Sequence, residues 1–204
     1  MQSSNELKCL YFSLGVIKQA TREFSDQNLL GEDGFGDIYR GNISINDYDY
    51  VVAVKRFHKE SEIMFRYEID RLSPFHHRNI ISLLGYCEEE YEKILVYELL
   101  PNGSLYDYLL SGKHRVRNLT VAKRLEICIE TANGLSYLHF GTRFIHGDVN
   151  TCNIFLDDNL VAKLLAPPFT SCLRGLIASP KQESDNLCYH SLTNKQIIDK
   201  NTQR

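Results

Sequence analysis

The sequence predicts an α+β fold, a sheet with one embedded helix followed by a second, helical part. Three observations carry this expectation. From residue 29 to about residue 97 the apolar residues fall in short, β-branched runs; Pro101-Asn102-Gly103 then interrupts the chain; and from residue 121 to about 139 apolar residues recur at helical spacing.

Taken in order, Leu14, Ile17, Ala20 and Phe24 define a short amphipathic helix entered at Ser13, whose hydroxyl can accept from an unpaired first-turn amide. Strands are expected at 37–41, after a glycine turn, at 50–57 and at 93–97, where β-branched and aromatic side chains suit a pleated, half-buried surface. Between the last two, Ile63, Tyr67, Ile69 and Leu72 give residues 61–72 a helical spacing. Ser104 with Asp107 resembles a capping box that opens a short helix over 105–110. The long helix beyond it is expected to gather Leu125, Cys128, Ile129, Ala132, Leu135 and Leu138 on one face. After Pro167-Pro168 the periodicity fades, and residues 170–204 are expected to have little fixed structure.

Composition excludes several classes. With 204 residues, 43% hydrophobic and 11% aromatic, the chain can bury one ordinary core and part of a second. A formal charge of −3 gives no electrostatic case for nucleic acid or a polybasic membrane contact. The six cysteines contain no C-x-x-C pair, so neither zinc nor a disulfide scaffold is signalled, and a reducing compartment fits. No apolar run approaches the ~20 residues that span a bilayer. The first residues lack the pattern of a secretory signal, and Gln2 stands where myristoylation needs glycine. A cytoplasmic protein is expected, one that reaches the plasma membrane only through a partner.

Three constellations bear chemistry. In Gly31-Glu-Asp-Gly34-Phe-Gly36, glycines leave room for backbone N–H groups to approach phosphate oxygens; a plain turn is the alternative. Val52-Ala53-Val54-Lys55 delivers a lysine from an apolar strand, where it needs an anionic partner, and Glu68 on the next helix can supply one. Each could instead be a solvated surface charge. In His146-Gly-Asp148-Val-Asn150-Thr-Cys-Asn153, an aspartate followed five residues later by an asparagine suits a base accepting a hydroxyl proton and an amide ligating Mg²⁺. Local turn-capping by the same residues is the other reading.

Together and in this order, these segments resemble a protein kinase domain of the plant receptor-like Ser/Thr kinase group. The likeness runs from about residue 12 to about 163 and includes residues 81–87, 94–105 and 124–139. It implies a bilobal fold, with a complete first lobe of antiparallel sheet plus one helix and a partial helical second lobe. The implied parts are a tail at 1–11, a first lobe and hinge at 12–100, a partial second lobe at 101–168, and a weakly structured tail at 169–204. An ATP site is implied between the lobes. Gly31, Gly34 and Gly36 would cradle phosphate, and Lys55 would hold it while paired to Glu68. Tyr97 would stand at the gatekeeper position, with Glu98 to Leu100 forming the hinge and Ile38, Ala53 and Phe155 lining the adenine slot. Asp148 would be the base and Asn153 a metal ligand.

The chain departs from that pattern where phosphate chemistry happens. Asp33 replaces a loop glycine; at an effective dielectric of about 20, two unit charges about 4 Å apart interact by roughly 4 kcal/mol. Gly147 precedes Asp148 where the group has arginine, Asn150 replaces a lysine, and Ala166 stands where Asp-Phe-Gly supplies its metal-binding aspartate. Residues 167–204 contain none of the group's later motifs and the chain has no tryptophan, so apolar surface is expected to lie exposed on the long helix. The expected function is a catalytically impaired kinase-like module that binds nucleotide weakly, with Mg²⁺ use in doubt, and acts in signalling through another protein such as a full-length receptor-like kinase. An active Ser/Thr kinase and a truncated product without function are the alternatives.

Overall fold

The strand-rich part forms a six-stranded sheet in the order β1-β5-β6-β4-β3-β2. Its strands are β1 (Leu10–Tyr11), β2 (Leu29–Asp33), β3 (Gly36–Ile45), β4 (Tyr48–Phe57), β5 (Leu83–Glu89) and β6 (Glu92–Glu98). The computed structural model describes residues 9–110 and 119–166, apart from the side chains of Asp33 and Leu110. The expected tail at 169–204 and most of that at 1–11 lie outside the described residues.

Five of the strands are antiparallel neighbours, as expected. The edge strand β1 is the exception, running parallel to β5 with Leu10 opposite Gly85 and Tyr11 opposite Tyr86. Two residues carry no alternation, so the sequence gives this strand no signal. A Cβ on Gly85 would lie 2.3 Å from the Leu10 carbonyl oxygen, so a glycine is what lets the edge close. Strand β5 also escapes a propensity reading, because Leu-Leu-Gly-Tyr-Cys-Glu-Glu contains no β-branched residue.

Register sorts the sheet into two faces. On one, Tyr39, Val52, Val54, Ile94 and Val96 pack with Leu14 and Ile17 of α1 (Leu14–Thr21). That helix starts as predicted, with Ser13 Oγ accepting the Val16 N–H at 3.4 Å. The opposite face carries Ile38, Ala53, Lys55, Leu95 and Tyr97, cross-strand neighbours by pairing. Here lies α2 (Glu62–Leu72), within the expected range. Its buried residues are Phe65, Glu68 and Leu72, whereas Ile63 and Tyr67 are exposed. The apolar spacing therefore located the helix but not its inner face.

The second part begins with α3 (Leu105–Leu110), where Ser104 Oγ accepts the Asp107 N–H at 3.1 Å and donates to the Asp107 carboxylate. Next come α4 (Val121–Ser136), a wide turn over Tyr137–Gly141, and a hairpin of β7 (Ile154–Leu156) and β8 (Ala162–Leu164). The apolar stripe gathered on α4 turns mostly outward. Ile127, Thr131, Gly134 and Leu138 are buried, while Leu125, Cys128, Ile129 and Ala132 are exposed. Closeness of approach decides this: a Cβ on Gly134 would lie 2.6 Å from the Asn79 carbonyl oxygen, and Thr131 satisfies its hydroxyl on the Ile127 carbonyl. Small residues let the helix backbone touch the loop before β5, and the larger apolar side chains are left on the outer face, as the expected exposed surface.

Candidate functional site

Lys55 leaves β4 on the inner face and is 1% exposed. Its Nζ donates to Glu68 Oε1 at 2.8 Å, and Tyr97 Oη donates to Glu68 Oε2 at 3.1 Å. A carboxylate with both oxygens used can sit in the core, and the lysine it neutralises can sit beside it. The Lys55 ammonium also faces the Phe57 ring at 4.4 Å and the Phe35 ring at 5.6 Å. Sequence spacing pointed to the pair; the Tyr97 hydroxyl and the two rings carried no separate signal, although Phe35 stands between Gly34 and Gly36 of the loop.

The glycine segment is the β2–β3 hairpin, with Gly31 opposite Ile38 and Asp33 opposite Gly36. Gly34 is exposed at its tip. Gly36, the first residue of β3, lies against β4, where a Cβ would come 2.2 Å from the Arg56 carbonyl oxygen. The Phe35 carbonyl accepts the His58 N–H at 2.8 Å, which ties the tip to the end of β4.

Beyond Tyr97 the strand passes into the expected hinge. The Glu98 carboxylate is used internally, accepting the Ser82 N–H at 2.7 Å and the Lys163 ammonium at 2.5 Å. Leu99 N–H donates to the Val51 carbonyl at 3.3 Å, and the Leu100 carbonyl accepts from Gly103 at 3.1 Å. Leu100, Ile38 and Phe155 are buried, Ala53 half-buried, and Phe155 bridges to Ser104 below the hinge. The residues expected to line an adenine slot thus come from β3, β4, the hinge and β7.

The Asp148 loop is organised differently. Asn150 Nδ2 donates to Asp148 Oδ1 at 2.8 Å, and Asn153 Nδ2 donates to Asp148 Oδ2 at 3.2 Å and to its carbonyl at 2.8 Å. His146 Nδ1 accepts the Asp148 N–H at 3.2 Å, so the proton sits on Nε2, which donates to the Leu165 carbonyl at 2.8 Å. Burial, chiefly, holds the His146 imidazole below its ordinary pKa, against the smaller upward pull of the Leu165 carbonyl. Ala166 is 4% exposed and packs in the main core. It contributes no side-chain oxygen, and the Asn153 amide nitrogen is turned toward Asp148. Among the described residues no group of three or more His, Cys, Asp or Glu side chains converges. Mg²⁺ is usually bound by one or two carboxylates together with substrate phosphates and waters, and position 166 supplies no carboxylate here.

A lobe of antiparallel sheet with one inward helix, joined by a hinge to a helical part that carries an aspartate loop, defines the protein kinase class. The profile described as protein tyrosine and serine/threonine kinase matches residues 24–173, and the chain belongs to this family. It is similar to receptor-like protein kinases of Arabidopsis thaliana. Identity is 46% over 159 residues with a probable receptor-like protein kinase, and the match covers 76% of this chain. Identity is 44% over 161 residues with FERONIA, again over 76% of this chain. With THESEUS 1 it is 45% over 162 residues, over 77% of this chain. The matched region spans only 18% of the length of each of these relatives. Among the described residues, no helix is long and apolar enough to cross a membrane.

Proposed function

We propose that this chain is a receptor-like kinase module that keeps an adenine-nucleotide pocket, lacks efficient phosphoryl transfer, and acts in signalling through protein contacts. Residues 12–100 serve as the first lobe and hinge and 101–168 as a partial second lobe. Ile38, Ala53, Tyr97, Leu100 and Phe155 receive the base against the hinge backbone, and Gly31, Gly34, Gly36 and Lys55 form the phosphate end. The observation that carries the reading is Ala166: phosphoryl transfer depends on metal and cationic neutralisation, and here a methyl group packed in the core replaces the carboxylate. Asn150 adds to it, since an amide on Asp148 stands where the family places a second cation.

The reading predicts a small thermal shift with ATP that is the same with and without Mg²⁺. A large Mg²⁺-dependent shift would overturn it. Because Lys55, Glu68 and Asp148 are all present, an active Ser/Thr kinase is the second reading, with Asp148 as base. It requires phosphate incorporation above the background of Asp148→Asn. The partner fitting this lineage is a full-length receptor-like kinase, and co-purification of the two proteins from plant extract tests the protein-contact role.

A further inference from the structure

The outer face of α4 carries an apolar stripe that nothing among the described residues covers. Val121 is 75% exposed, Leu125 59% and Ile129 60%, with Cys128 and Ala132 exposed beside them. At i, i+4, i+7, i+8 and i+11 these positions share roughly a 100° arc, the width of a helix face that packs against another element. The core does not use them, because α4 meets it through Ile127, Thr131 and Gly134.

The chain leaves the described part close to this stripe. The Ala162 N–H at the start of β8 donates to Glu130 Oε2 at 2.7 Å, so β8 runs beside the residue that follows Ile129. Shortly after Ala166 the sequence holds Phe169, Leu173, Leu176 and Ile177. Their spacing of i, i+4, i+7 and i+8 repeats that of Val121, Leu125, Cys128 and Ile129. Pro168 and Pro180 bound this run, and proline is tolerated at the first turn of a helix but not inside one. Extended chain advances about 3.3 Å per residue, so three residues past Ala166 cover roughly 10 Å, the diameter of a helix.

We propose that residues 169–177 dock along the outer face of α4 in the same molecule, laying their four apolar side chains on the stripe from Val121 to Ile129. A run this short does not hold a helix by itself in water, and the face of α4 supplies the packing it lacks. The contact is independent of the nucleotide site.

The native thiols test it, since docking brings Cys172 to Cys128 and leaves Cys188 beyond the docked run. The full 204-residue chain is treated with a short bis-maleimide, and linked peptides are identified by mass spectrometry. A Cys128–Cys172 link within one molecule is expected, at a yield independent of protein concentration. It should exceed Cys128–Cys188 at least about tenfold, because docking raises the effective concentration of the first pair alone. Leu173→Asp should bring the two yields together and speed the reaction of Cys128 with a monofunctional maleimide. Ile129→Asp, on the exposed side of α4, should equalise the yields from the other half of the contact, and Leu173→Met should match the parent. Cys87 is 0% exposed, so its continued protection reports that each variant is folded. Equal yields of the two links in the parent chain overturn the proposal, as does a Cys128 that reacts equally fast in the parent and in Leu173→Asp. A link whose yield rises with protein concentration also overturns it and assigns the face to a second copy.

Discussion

The Lys55–Glu68 centre and the Asp148 loop each hold a carboxylate and satisfy it in opposite ways. In the first, two full charges are buried on facing elements, and their partners come from β4, α2 and β6. In the second, a half-buried carboxylate is satisfied by amides two and five residues away in its own loop. The first centre ties distant segments together, so its energy is part of the fold. The second is local and could change composition at little cost to the rest, and it is here that Asn150 stands in place of the family's lysine.

The sharpest way to break this contrast is to remove one buried charge. Glu68→Leu leaves Lys55 in the core without its anion and should cost about 3–5 kcal/mol in urea unfolding. Adding Lys55→Met should recover much of that loss, and a single variant as stable as the parent would show that the pair is not structural. Next in size is Tyr97→Phe, which deletes one hydrogen bond to a charged acceptor and should cost about 1.5–3 kcal/mol by the same measurement. Asn150→Ala removes a contact within the loop, and about 0.5–1.5 kcal/mol is expected. If it rivals Glu68→Leu, the loop is no local unit.

The smallest effect is pH-dependent and belongs to the loop. His146 is held neutral by burial, so its folded pKa lies below the ordinary 6.5. The unfolded chain therefore takes up the proton first. The contribution of His146 is fully present above the unfolded value and is lost as pH falls through the folded one. Protonating Nδ1 also ends its acceptance of the Asp148 N–H. Melting temperature should fall on mild acidification, and His146→Asn should flatten the slope.

Legibility followed the same division. The Lys55–Glu68 pair could be anticipated because a lysine in an apolar strand demands an anion, and the next helix offers one. The Asp148 amides were less visible, since Asn150 reads equally as a turn residue. The inner face of α4 was not legible for a physical reason: hydrophobic periodicity reports where apolar mass lies, but this contact was decided by how little mass Gly134 and Thr131 present. Likewise on α2, Glu68 sits on the buried face because its charge is met there, which no hydropathy pattern records.

Strand β1 has a further consequence. An open sheet border exposes a row of amides and carbonyls to which a second polypeptide can zip. Here a two-residue strand covers β5, and the Tyr11 hydroxyl donates to Glu89 at 2.9 Å, leaving little backbone for a newcomer to follow. At the far border β2 closes on Glu32 and Asp33, so an identical copy arriving there would meet its own sign of charge. Both margins of the sheet are thereby guarded against strand-by-strand growth, and deleting residues 1–12 should turn the β5 margin into the first place where aggregation starts.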